Sequence, residues 1–198
     1  MELMKHAIMQ SWVCSVILEN KLIQIMKTYE HFMRDLELVQ QLNLPYGCIS
    51  AGYVRNYVWD CLHGFSNRTP LNDVDILYYD STDLSEDSEK KYESFLKHQW
   101  HGYNWSVKNQ ARMHIRNQDK PYLSVAEAMK RWPETATAVG ISLDNSNKIE
   151  IIAPHGLHDL FDLVIRRSAF FKDTAYFYTR IHNKKWLEVW PQLRLVED

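Results

Sequence analysis

Along residues 3–43 apolar positions recur every three or four residues, as at Leu22, Ile25, Met26, Tyr29 and Met33, with charges between them. That is the period of helices that bury one face, and two helices meeting around Glu19-Asn20 are expected. The pattern breaks at Leu44-Pro45-Tyr46-Gly47, because proline disfavours helical geometry in the residue before it and glycine supplies a turn. Cys48-Ile49-Ser50 then reads as a short strand and Ala51-Gly52 as a tight turn. Residues 53–63 read as a helix with Val54, Val58 and Leu62 at four-residue intervals, ended by Gly64.

A polar loop over 65–72 leads to Val74-Asp75-Ile76-Leu77-Tyr78-Tyr79, whose β-branched, aromatic and aliphatic residues predict a strand. Residues 85–99 predict a charged helix turning Tyr92, Phe95 and Leu96 inward. Trp105-Ser106-Val107 predicts a strand running into a segment over 109–117. Ser124 and Glu127 have the reciprocal spacing of a capping box, so a helix should start there and stop near Pro133. The apolar positions of 136–143 and of 149–152 flank the turn-rich Asp144-Asn145-Ser146-Asn147 and predict a hairpin. After Pro154-His155-Gly156 a helix is expected to about Arg167, then a Trp-rich helical tail over 176–195 packed on the body. No repeat, low-complexity tract or linker interrupts this order, which is that of an α+β fold with a small mixed sheet flanked by helices.

Composition narrows the class. A chain of 198 residues suits a single domain, divided here into a helical N-terminal segment (1–43), a core (44–165) and a helical C-terminal segment (166–198). Hydrophobic residues at 45% and aromatics at 13% supply a real core and exclude disorder. The formal charge of −2 excludes a global field that would recruit nucleic acid or an anionic membrane, leaving only local patches. Cys14, Cys48 and Cys61 are too few and too scattered for a disulfide framework or a zinc knuckle, so a reducing cytosol is expected. The apolar run over 7–18 is too short to span a bilayer and lacks a cleavage site, which predicts an amphipathic helix and no membrane partner.

The chemistry concentrates at Asp73 and Asp75. Alternate residues of a strand face the same side, and two like charges side by side call for a cation. Magnesium, or manganese in its place, suits a two-carboxylate shelf because it keeps several waters and takes substrate phosphates as further ligands. A third carboxylate on a neighbouring strand would complete a two-ion site, and Glu150 is the candidate. The strand, Ala51-Gly52 and the following helix aim backbone amides and the positive end of the helix dipole at a phosphate, with Arg55 placed to clamp it.

The segments Ala51-Gly52-Tyr53-Val54-Arg55-Asn56, Leu62-His63-Gly64 and Asn72-Asp73-Val74-Asp75 resemble the nucleotidyltransferase superfamily that includes DNA polymerase β. Within it the likeness is to the head domain of CCA-adding enzymes and poly(A) polymerases, with their Gly-Gly-x-Val-Arg-Asp, Leu-x-Gly and Asp-x-Asp motifs. The text over 105–114, 132–140 and 149–157 is similar to an uncharacterised bacterial family of stand-alone nucleotidyltransferase-like proteins, and this likeness spans about 40–195.

The resemblance implies a polymerase β-type fold in which Asp73 and Asp75 bind magnesium, Gly52 and Arg55 hold a triphosphate such as that of ATP, and Glu150 takes the third-carboxylate place. Ala51 stands where the family has its first glycine, and Asn56 where it has an acid. The chain stops before the domains with which CCA-adding enzymes grip transfer RNA, so that substrate is not carried over. The implied reaction is magnesium-dependent transfer of a nucleoside monophosphate from a nucleoside triphosphate to a hydroxyl or phosphate of an RNA, small-molecule or protein acceptor in the bacterial cytoplasm. The alternative is a catalytically silent nucleotide-binding regulatory module.

Other polar residues carry two readings. Lys108, Asn109 and Arg112 form either a phosphate contact or a solvated face, with Arg112 and Arg116 on one helix side. His155, His158 and Asp159 have the spacing of a metal site, but a capping histidine beside Gly156 fits better. Trp186 and Trp190 read as core packing rather than as a base-stacking platform.

Overall fold

The computed structural model describes residues 2–196, with side chains from Val13 onward. Its elements run α1 (Glu2–Lys27), α2 (Phe32–Gln40), β1 (Cys48–Ser50), α3 (Gly52–Leu62), β2 (Val74–Tyr78), α4 (Glu86–Gln99), β3 (Trp105–Asn109), α5 (Gln110–Asn117) and α6 (Val125–Lys130). A single 3-10 turn at Thr135–Thr137 precedes β4 (Gly140–Leu143) and β5 (Ile149–Ile152). There follow α7 (His158–Phe161), β6 (Val164–Arg166), α8 (Thr174–Lys184), α9 (Trp186–Val189) and β7 (Arg194–Val196).

Five strands form one mixed sheet in the order β3-β2-β1-β4-β5, in which only β2 and β3 are parallel. The register sets Val107, Ile76, Ile49 and Ile141 side by side across four strands, and all four are fully or almost fully buried in the main core with Val54, Val58 and Trp59 of α3. One residue earlier on β2 the row is Ser106, Asp75, Ser50 and Gly140. By the two-residue period of strands this polar row lies on the opposite face. Farther along that face, Cys48 and Leu77 are covered by Val125 and Met129 of α6.

The expected α+β class and small mixed sheet are those observed, and β1, β2, β3, the β4–β5 hairpin and α3 to α6 lie close to their predicted places. Ser124 caps α6 as expected, its Oγ accepting from Glu127 N at 3.1 Å, but Glu127 Oε2 reaches one residue beyond the capping-box position and accepts from Leu123 N at 2.8 Å.

The expected N-terminal break, the helix to Arg167 and the inward Phe95 are corrected. The N-terminal break falls at residues 28–31, not at Glu19-Asn20, since α1 continues to Lys27. The amphipathic reading of 7–18 rests largely on side chains at 7–12, which lie outside the described side chains. The helix expected to run to Arg167 is one turn long: Leu163 adopts φ +57, and residues 164–166 leave to pair in parallel with β7, a partner thirty residues downstream. Phe95 is 38% exposed, whereas Leu96 is buried.

The C-terminal segment docks through tryptophan. Trp59 meets Trp186 and Trp190 edge-to-face at centroid distances of 5.6 and 5.2 Å. Such pairs add about 0.5–1.5 kcal/mol to the burial itself. The indole N–H of Trp190 donates to the buried Asp60 at 2.8 Å. That carboxylate also accepts from the backbone and hydroxyl of Thr69. One buried acid thus ties the loop before β2 to the C-terminal wall.

Candidate active site

Between those two tied elements lies a cavity of about 370 Å³. Its floor comes from the β1–α3 turn (Ala51, Gly52, Arg55, Asn56), one wall from Asn72, Asp73 and Asp75, and the other from Arg180, Lys184 and Trp186.

At the turn, Ala51 has φ 55 and ψ −124, a region open to glycine and costly for any residue with a Cβ. It is fastened on both sides, by Ala51 N donating to Val139 O at 3.0 Å and by Arg55 N donating to Ala51 O at 2.9 Å. Alanine thus holds a strained backbone where the resembled family has its first glycine. A Cβ at Gly52 would meet only ordinary contacts, with Arg55 and Asn56 at 3.7–3.8 Å, so glycine here leaves that volume to the cavity.

Arg55, 6% exposed, donates from Nη1 to Thr137 Oγ1 and from Nη2 to Asn56 Oδ1, both at 2.7 Å. Its guanidinium stacks 4.1 Å from the Trp186 ring and 5.1 Å from that of Trp59. Burial pulls its pKa down to about 10, opposed by the negative charge of Glu134, so the group is cationic at neutral pH. Asn56 therefore serves as a neutral acceptor that orients Arg55, where an acid would have added a charge.

Asp73 immediately precedes β2 and Asp75 is its second residue, so both carboxylates reach the cavity from one side. Burial pushes the pKa of Asp75 up to about 6, and the Asp73 charge pushes the same way; the Ser106 hydroxyl, Arg55 and Arg180 oppose them. Burial and a neighbouring like charge both disfavour the ionised carboxylate, burial the more strongly.

The remaining expected residues are not brought here. Glu150 lies on the same sheet face but on β5, three strand spacings or roughly 14 Å from β2, and it is exposed. It is thus not on a strand neighbouring the aspartates; the residue beside Asp75 on β3 is Ser106. Lys108 and Arg112 bind the acids of α4. Lys108 Nζ lies 2.9 Å from Glu93 and 3.3 Å from Glu89, and Arg112 grips Glu89 through Nε and Nη2 at 2.8 and 2.7 Å. Neither lines the cavity. His155 and His158 also separate, toward Lys130 O at 3.1 Å and Cys14 Sγ at 3.3 Å. Among the described residues no three His, Cys, Asp or Glu side chains are grouped to hold an ion.

Sequence reasoning missed Thr137, Arg180 and Lys184. The readable signal was the four-residue spacing of two basic residues just before Trp186, which sets both on one helix face. Trp186 and Trp190, each 3% exposed, are packed as expected, but their edges also line the cavity.

Comparison with known proteins assigns the class. A family model described as nucleotidyltransferase matches residues 37–195, and the chain belongs to this family. Among solved structures, one whose NMR analysis "reveals a CCA-adding enzyme head domain" is 27% identical, covering 90% of this chain and 96% of that one with a TM-score of 0.76. The Thermotoga maritima CCA-adding enzyme complexed with transfer RNA is 18% identical, with a TM-score of 0.53 over 89% of this chain and 42% of that one. A CCA-adding enzyme in complex with CTP is 19% identical, with a TM-score of 0.55 over 90% and 43%. At such identities the last two show the fold alone, and this chain spans less than half of either. No curated protein matches the sequence.

Proposed function

We propose that the cavity binds a nucleoside triphosphate with a divalent cation and transfers its nucleoside monophosphate to a hydroxyl or phosphate acceptor, releasing pyrophosphate. The observation that carries this reading is that one cavity of about 370 Å³ gathers the Gly52 turn and Arg55 with Asp73 and Asp75, a cation and two acids from successive elements of the chain. The complexes of similar folds with CTP and with transfer RNA support a nucleotide donor; the acceptor class is RNA, small molecule or protein.

The donor set suits magnesium or manganese. Asp73 and Asp75 supply two hard oxygen donors, a bound cation would offset both the burial and the Asp73 charge that raise Asp75, and phosphate oxygens and waters would fill the other positions. When bound, the ion supplies charge neutralisation at the transferring phosphoryl group. The chain's own residues do the rest. Arg55, fixed by Thr137 and Asn56 and stacked on Trp186, orients a phosphate oxygen without rearranging. Gly52 admits the phosphate close to the backbone, and Asp60, through Thr69, holds the loop that carries Asp73. Catalysis is then positioning and electrostatics, with no covalent nucleophile. Glu150, Lys108 and Arg112 stand outside this proposal. The unpaired cysteines support a reducing cytosol, and no helix among the described residues is long and apolar enough to cross a membrane.

The test is incorporation of labelled nucleotide, with magnesium, into a panel of RNA, small-molecule and protein acceptors. Asp73→Ala/Asp75→Ala should lower it by at least roughly 10²–10³-fold; activity that survives in the double variant refutes the assignment. The lack of a third carboxylate beside the pair among the described residues favours one other reading, a module that binds nucleotide without turnover. Calorimetric binding of a triphosphate and magnesium with no pyrophosphate released across the panel would select it.

A further inference from the structure

The nucleotide-binding reading leaves two cations of the cavity without a role. Arg180 and Lys184 come from α8, far outside the motif-bearing segment, and four-residue spacing turns both toward the cavity. Arg180 is pinned: its Nε donates to Glu134 Oε1 at 2.6 Å, and its guanidinium lies 5.8 Å from the Trp186 ring. Arg55 lies 4.1 Å from the same ring. Two guanidiniums thus approach one indole with a single buried carboxylate, Glu134, at hand. Nε of Arg55 and Oε2 of Glu134 are both buried without a hydrogen-bond partner among the described residues. Lys184 has no ion pair among the described residues and lines the cavity mouth.

A merely solvated helix face does not account for this. Arg180 has only 25% of its side chain exposed, and gathering three cations in one partly enclosed space raises their mutual repulsion unless an anion joins them. Asp73 and Asp75, on the facing wall, offset that charge only until they hold a divalent cation; the cavity is then net positive and suits a polyanion.

The geometry points to Arg180 and Lys184 as ligands of the polyphosphate tail of the bound nucleotide, so that the C-terminal helix, together with Arg55, forms the phosphate clamp. This rests on the proposed nucleotide site and adds to it where the tail lies: along the α8 wall, away from Lys108 and Arg112. Lys184 tracks the end of the tail as a mobile point charge, and Arg180, held by Glu134 and Trp186, supplies fixed donors.

The test is calorimetric titration with inorganic tripolyphosphate and with the four nucleoside triphosphates, each with magnesium, and with the corresponding monophosphates as control. Lys184→Gln, at an exposed position, should weaken tripolyphosphate and triphosphate binding about 10-fold, monophosphate binding by less than about twofold, and leave the melting temperature unchanged. Lys184→Arg should restore affinity. Arg180→Lys, checked by melting because Glu134 depends on it, should weaken the triphosphates further. Wild-type binding undiminished in Lys184→Gln and in folded Arg180→Lys overturns this inference alone. A wild-type protein that binds neither tripolyphosphate nor any triphosphate overturns it together with the nucleotide site.

Discussion

Two clusters in this molecule are built from the same kinds of side chain and do opposite things. Where α4, β3 and α5 meet, Glu86, Glu89 and Glu93 are matched to Lys108 and Arg112 by contacts of 2.7–3.3 Å, and Glu89 also accepts from the backbone of Asn109 at 2.8 Å. None of these residues lines the cavity described above. At the mouth of α3, Asp73 and Asp75 face Arg55, Arg180 and Lys184 across about 370 Å³ of space, with polar atoms left over on Arg55 and Glu134. The titrations follow suit. Burial pushes Glu89 up, but Arg112, the Asn109 amide and Lys108 together bring it below the usual glutamate range; Asp75 ends well above the aspartate range. Charges that satisfy one another make scaffold, and charges held apart with bonds unmade leave a place for a ligand.

The largest effect expected from this contrast is structural. Glu89→Ala leaves Lys108 to Glu93 and Arg112 to Glu86 but removes their shared buried partner and the acceptor of the Asn109 amide, and should cost about 3 kcal/mol in urea denaturation, while nucleotide affinity stays within about twofold. An equal loss of nucleotide binding at unchanged stability would place Lys108 and Arg112 in the site after all.

Next in size is the pH dependence of the magnesium-free protein, where the clusters have opposite signs. Glu89, depressed in the folded state, contributes stability that is present above its unfolded pKa and disappears as pH falls through the folded value. Asp75, raised to about 6, favours the folded state while protonated, so its contribution is lost as pH rises from about 4 through 6, on the order of 2–3 kcal/mol. Asp75→Asn should flatten that part of the profile and leave the acid limb intact. A profile identical to wild type between pH 4 and 6 would break the comparison.

The smallest expected effect tests whether the strain at the turn belongs to the site. Ala51→Gly removes a Cβ from φ 55, ψ −124 and should stabilise the fold by about 1 kcal/mol after glycine's greater unfolded-state entropy is counted. A destabilised variant would show that the turn relaxes around alanine.

Much of the fold was legible because it is local. The three- and four-residue spacing that buries Val54 and Val58, the β-branched run of β2 and the helix N-cap at Ser124 are each set by neighbours within a turn or a strand. Leu163 and β6 were not, since a parallel partner thirty residues away overrides the helical pattern. The site divides the same way. Gly52, Arg55, Asp73 and Asp75 were legible because one turn and one strand carry them, whereas Lys108 and Arg112 were read toward phosphate because a sequence does not show which acids α4 will present to them. Glu150 was expected on a strand neighbouring the aspartates, but strand order, which the sequence does not show, sets its distance from β2.

The sequence by itself determined the period of each element and the adjacency of Asp73 and Asp75 on one side of β2, because backbone geometry fixes which side chains face together within a strand or helix. Only the tertiary structure decided which cations meet those carboxylates. Coulomb energy depends on distance and on the water left between charges, and both are set by how α8 docks through Trp59, Trp186 and Trp190 onto α3.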